Sequence, residues 1–143
     1  MAGAQVIDSG TGLRVPDAAL ITYTHVIYAL HALSVLIGIT TAASIVGAFV
    51  LGLPSIVAVI MNYVRQKDAR GTFLEAHFRW QIRTFWGAVA MVAILTVISV
   101  PLLLVLVGFV VFPIGLIAIG IWVVYRVIRG WLALRDGRPV PGT

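Results

Sequence analysis

The sequence predicts an all-α integral membrane protein: two transmembrane helical hairpins, four crossings in all, joined by a basic amphipathic cytoplasmic helix. Three observations predict it. The 47 residues between Asp17 and Arg65, and the 42 between Arg83 and Arg126, contain no Asp, Glu, Lys or Arg. The chain is 61% hydrophobic and 10% charged, against about a quarter charged in a soluble domain, so its surface must largely face lipid. Nine of the ten basic residues lie between Arg65 and Arg83 or from Arg126 onward. A charge at the bilayer centre costs about 3 kcal/mol, which makes the uncharged runs the membrane segments and the basic segments their flanks.

Each run is too long for one crossing. A helix of the first run's length would span roughly 70 Å, more than twice the hydrocarbon thickness. Each run therefore folds back on itself. In the first, the small residues from Thr40 to Gly47 mark the turn, with helices over Leu20 to Ile39 and Gly47 to Val64. Pro54 removes a hydrogen bond from the second helix and should kink it. An alternative reading runs one tilted helix to Leu51 and makes 54–64 re-entrant. That gives three crossings and moves the N-terminus to the opposite face. In the second run Gly108 and Pro113 mark a turn over Val107 to Pro113. The flanking helices are Thr84 to Leu106, kinked near Pro101, and Ile114 to Trp131. Residues 1–19 and 132–143 are left as tails. The first has no basic stretch before an apolar core, so it does not read as a cleaved leader.

Orientation follows from the cations. Arg65, Lys67, Arg70, Arg79 and Arg83 are separated by one hairpin from Arg126, Arg129, Arg135 and Arg138. The positive-inside rule makes their shared face cytoplasmic, and Arg14 joins it if the first run crosses twice. Tyr63, Trp80, Trp86, Tyr125 and Trp131 fall near the basic ends, where amphipathic rings prefer the head-group level. Arg83 and Arg126 can snorkel from helix ends. Anionic lipid is the expected counter-charge for this face, with Arg65, Lys67, Arg70, Arg79, Arg83, Arg126 and Arg129 as its candidate surface. Nucleic acid is not expected.

Between the hairpins, residues 65–70 read as a polar turn ending at Gly71. Thr72 and Glu75 then have capping-box spacing, which starts an elbow helix over 72–83. Phe73, Phe78 and Ile82 give it an apolar side. Glu75, Arg79 and Arg83 run down another side, with Glu75 and Arg79 in the favourable order for an ion pair. The elbow serves either as a lipid- or partner-binding helix or as a structural joint.

The first helix carries a polar stripe, Thr24, Tyr28, His31 and Ser34, with Gly38 and Thr41 continuing it. Such a stripe faces other helices. His31 is an ionisable group at depth, read either as a proton relay, cofactor ligand or pore-lining group, or as an interhelical hydrogen bond. His25 reads as interfacial. His77, the remaining histidine, sits in the basic segment, so no bis-histidine haem is expected. There is no cysteine. Glu75 and His77 at i, i+2 diverge on a helix, and no catalytic or phosphate-loop motif is visible. No cofactor, metal or enzymatic activity is therefore expected.

Tyr28-Ala29-Leu30-His31-Ala32-Leu33-Ser34, the Gly52–Pro54 break, Phe73-Leu74-Glu75-Ala76-His77-Phe78-Arg79-Trp80-Gln81 and Asp136-Gly137-Arg138-Pro139 together carry a resemblance. Over roughly Tyr23 to Pro139 the chain resembles small bacterial inner-membrane proteins of unknown function. Those proteins are distantly similar to the twenty-kilodalton channel-like subunit of the chloroplast inner-envelope translocon. The resemblance implies four helices with both termini cytoplasmic, in the inner membrane, and no settled activity. That family's elbow is commonly more acidic; here it is aromatic and arginine-rich. The expected function is a non-enzymatic scaffold or accessory subunit, working with a membrane-protein partner or as a homo-oligomer. The alternative is an oligomeric channel or translocon-like component lined by the His31 stripe.

Overall fold

The computed structural model describes residues 6–41 and 45–140, with side chains over 6–38 and 52–140. Four helices follow in order: α1 (Ala18–Thr41), α2 (Ile45–Ala69), α3 (Leu74–Leu103) and α4 (Gly108–Arg135). No strand occurs among the described residues, only an isolated bridge between Ile7 and Arg14. Three of the helices, α1, α3 and α4, are long and apolar enough to cross a membrane. The described side chains of α2 cover 52–69 and include Arg65, Lys67 and Asp68, and that described stretch does not meet the same test. By length and composition this is an all-helical membrane protein.

Cross-helix contacts fix the directions. Along α1 and α2, Tyr23 hydroxyl donates to the Met61 carbonyl and His31 meets Ser55. Rising numbers on one helix pair with falling numbers on the other, so the two are antiparallel. The same holds for α3 and α4, where Trp80 meets Arg126, Gly87 faces Trp122, and Gly108 abuts Ser99. Trp86 Nε1–H donates to Tyr63 across α2 and α3, and Trp131 Nε1–H donates to His25 Nδ1 across α1 and α4.

The core lies in one half of the bundle. Leu20, Ile27 and Tyr28 of α1 pack with Ala58 and Ala69 of α2, Leu74 and Phe78 of α3, and Val127 and Leu134 of α4. Along 85–126 only Ser99 and Gly108 are buried, and Val97 and Leu104 are 73% and 90% exposed. Apolar exposure on this scale belongs against lipid, which solvates it as well as a core would.

Several boundaries differ from the sequence expectation. The turn expected over Thr40 to Gly47 lies outside the described residues at 42–44, and the side chains of Thr40, Thr41 and Gly47 lie outside the described ones too. Pro54 lies inside α2, which is a single helix beside α1 rather than a re-entrant piece. Residues 65–69, expected as a turn, continue α2, because Arg65, Gln66 and Lys67 are good helix formers. The chain turns only at Gly71, with φ +72°. The expected elbow helix and third crossing are one helix, α3, since no Gly or Pro lies between Leu74 and Trp86. The cap is displaced by one residue: Glu75 carboxylate accepts from Gly71 N–H at 2.9 Å, while Thr72 hydroxyl accepts from Leu74 N–H. The α3–α4 turn is tighter than expected, over 104–107, with Leu106 at φ 63°. Pro113 therefore falls inside α4.

Both tails return to the bundle. Arg14 donates to the carbonyls of Asp68 and Arg70, and its N–H bonds Gly71. Val140 is buried with Trp80 and Ala133.

Candidate functional site

Thr24, Tyr28, His31 and Ser34 of the α1 stripe are buried and face the bundle, while Gly38 is half-buried and the Thr41 side chain lies outside the described ones. Thr24 hydroxyl donates to the Leu20 carbonyl. Ser34 Oγ accepts from Ser55 N–H at 3.0 Å, just where Pro54 disturbs the α2 ladder. His31 Nδ1 lies 3.2 Å from Ser55 Oγ. Its Nε2 is buried without a partner among the described residues. A cavity of about 10 Å³, the size of one water, is lined by Tyr28, His31, Trp80, Gln81, Thr84, Arg126 and Val127.

Tyr28 makes the contact that sequence reasoning missed. Its hydroxyl lies 3.0 Å from His77 Nδ1, and His77 is fully buried rather than in an open basic segment. His77 Nε2 lies 2.7 Å from the Arg138 carbonyl. A carbonyl only accepts, so in the neutral ring Nε2 carries the proton and Nδ1 accepts from Tyr28 O–H. α1, α3 and the C-terminal segment are thus joined by one chain of hydrogen bonds. A sequence signal existed: His77, Gln81 and Thr84 sit at i, i+4, i+7, the same helical spacing as the α1 stripe. All three are buried. Phe73 and Ile82, expected on the apolar side, are only half-buried. Gln81 and Asn62 are buried with no side-chain partner among the described residues.

The seven cations expected to form one lipid surface divide into two groups. Arg65 pairs with Asp68 at 2.6 Å and lies over Tyr23; Arg79 pairs with Glu75 at 3.0 Å. Lys67 and Arg70 are exposed. Arg126 does not extend outward. Its guanidinium stacks 3.6 Å from the centre of the Trp80 ring, and its Nε–H donates to Thr84 Oγ1 at 2.6 Å. Trp80, expected at the head-group level, is buried because its Nε1–H is drawn to the Arg126 carbonyl at 3.0 Å. Arg129 bonds Tyr125 hydroxyl at 2.7 Å and lies 5.9 Å from the Trp80 ring. Arg83 is exposed on α3, next to Thr84, the residue that accepts from Arg126.

Among the described residues no three His, Cys, Asp or Glu side chains converge as metal ligands would. Outside the helices, Asp8 is held below the ordinary carboxylate range by Thr11 hydroxyl and Gly10 N–H, and Asp136 by Arg138. These are local turn contacts.

No family model, curated protein or solved structure matches the chain. The functional reading therefore rests on the geometry at the basic end.

Proposed function

We propose that the protein is a multi-pass scaffold or accessory subunit of the bacterial inner membrane, without enzymatic activity, whose basic face lies in the cytoplasm and holds anionic lipid. In this reading all four helices cross, and both termini are cytoplasmic. The convergence of the basic residues carries it. Arg14 reaches the α2–α3 turn, the Arg138 segment bonds His77, and Arg126 bonds Thr84. These contacts gather the basic segments at one end of an antiparallel bundle, which supports an even number of crossings and a cytoplasmic end by the positive-inside rule. Kinship with the small inner-membrane proteins that the chain resembles belongs to the same proposal.

The channel alternative gains no support, since Thr24, Tyr28, His31 and Ser34 are engaged or enclosed within one chain. Reversing Arg79 and Arg83 to Glu tests the scaffold reading. Weaker association with anionic vesicles and lower abundance in membranes are expected, and lipid preference and abundance both equal to wild type would refute it. Crosslinking from native membranes, followed by identification of the captured protein, tests the partner.

A further inference from the structure

Arg83, Arg126 and Arg129 differ from the chain's other cations in what surrounds them. The five carboxylates are engaged elsewhere: Asp68 with Arg65, Glu75 with Arg79, Asp136 with Arg138, Asp8 with Thr11, and Asp17 with the N–H of Ala19. Among the described residues no carboxylate meets these three guanidinium groups. Two of them nevertheless share one indole, and the third stands next to it in the fold. Arg126 lies against Trp80, Arg129 lies 5.9 Å from the same ring, and Arg83 is about one helical turn along α3 from Trp80 and next in sequence to Thr84, the partner of Arg126.

Their level is also defined. Arg83 is the last charge before the 42-residue uncharged run and Arg126 the first after it. The Trp80–Arg126 and Arg126–Thr84 bonds hold the two ends of that run side by side. The cluster therefore marks where the apolar hairpin begins, beside exposed Trp86, Ile121 and Tyr125. Like charges held together without a counter-ion repel, and a phosphate removes that repulsion. Guanidinium forks match phosphate oxygens in geometry as well as charge. Arg126 already has Nε on Thr84 and Nη2 on the Trp80 carbonyl, and Arg129 has Nη1 on Tyr125, which leaves the Arg83 fork and the remaining donors of the other two.

We infer that this cluster binds the phosphate of one anionic phospholipid, with Arg83 and Arg129 gripping from the outside, Arg126 lying beneath, and the acyl chains along the apolar faces of α3 and α4. The inference rests on the lipid-holding face proposed above and assigns it to one place.

Native mass spectrometry of the delipidated full chain, titrated with phosphatidylglycerol or phosphatidylcholine, tests it. One phosphatidylglycerol should be retained at least tenfold more tightly than phosphatidylcholine. Arg83→Gln/Arg129→Gln alters two exposed side chains and spares the packed Arg126. It should weaken that retention roughly 30-fold, about 2 kcal/mol at 1.4 kcal/mol per tenfold. Arg135→Gln, at an exposed arginine outside the cluster that lies against Asp136, should change it less than about threefold. Equal retention of the two lipids by wild type would overturn both the face and the site. A wild-type preference that survives Arg83→Gln/Arg129→Gln would overturn the site alone. Displacement of the lipid by equimolar inorganic phosphate would make this a free-phosphate site and overturn the lipid assignment.

Discussion

Replacing Gly130 by Ala places a methyl group against Tyr28. A Cβ at position 130 would lie 2.8 Å from Cε1 and Cζ of that ring and closer still to its hydroxyl. Ordinary carbon contacts are about 3.5–4.0 Å, so the ring must move by about 1 Å. The water-sized cavity it lines is smaller than the ring, and its other contacts resist the shift. Tyr28 is buried, stacked on Trp131 with centroids 6.4 Å apart, and bonded to His77. Overpacking of this kind costs about 1–3 kcal/mol, and breaking the Tyr28–His77 bond would leave a buried acceptor at a further cost of about 1–3 kcal/mol. Alanine returns about 1 kcal/mol through helix propensity. The net expectation is a loss of about 1–5 kcal/mol. At roughly 3–5 °C per kcal/mol for a chain of this size, thermal melts in detergent micelles followed by circular dichroism should show a fall on the order of 10 °C. Gly120→Ala is the control, because nothing lies within 4 Å of its Cβ, and it should melt at or slightly above wild type. Adding Tyr28→Phe to Gly130→Ala should recover part of the loss, since the nearest atom is gone. A Gly130→Ala protein as stable as Gly120→Ala would refute the tight α1–α4 contact.

Tyr28→Phe alone removes a buried hydrogen bond and should cost about 1 kcal/mol. Nitrogen NMR should then show His77 Nδ1 moving to the shift of an unbonded imidazole nitrogen while Nε2 stays protonated; an unmoved Nδ1 would argue against the contact. Gly108→Ala would set a Cβ 2.6 Å from the Ser99 carbonyl oxygen and the Leu103 nitrogen. Backbone cannot yield as a side chain does, so faster hydrogen exchange should appear over 104–107 with the Tyr28 region unchanged. Asp136 is held below its ordinary value of 3.8, first by its hydrogen bond to Arg138. Because the folded value is the lower one, its contribution is present above pH 3.8 and is lost as pH falls through the depressed value. A carbon NMR titration of the carboxyl should show a midpoint below 3.8, and Arg138→Gln should raise it.

The hairpin pattern was legible because lipid excludes charge, and two uncharged runs mark apolar segments whatever their details. Helix ends were less legible. Hydropathy ends a membrane segment at the first charge, but helix geometry ends only at a breaker, so α2 runs past Arg65 to Ala69 and α3 begins ten residues before the uncharged run. The α1 stripe was legible by period. Its partner stripe was not, because Glu75 and Arg79 drew attention to the opposite side of α3. Nor was the inward turn of Arg126. Sequence says only that an arginine ends the run; the direction depends on Trp80 and Thr84 standing across the helix pair, which no local pattern reports.

In a bilayer, apolar contact between helices gains little over contact with lipid tails, so polar bonds and close packing set which helices meet. Here every neighbouring pair is joined by a bond of this kind: Tyr23 to Met61, Trp86 to Tyr63, Trp80 to Arg126, Trp131 to His25, with Tyr28 to His77 crossing between α1 and α3. Each is worth about 0.6–2 kcal/mol in membrane proteins, and all lie in the basic half of the bundle. Tyr28, His31 and Ser34 of the stripe are thus engaged in holding the helices together, and a pore would have to break those bonds to expose them. Chemistry available to an outside ligand must instead come from donors the fold leaves open. Among the described residues the densest set of these is the arginine cluster around Trp80, which is why lipid binding there, rather than proton or solute passage past His31, is the function to test first.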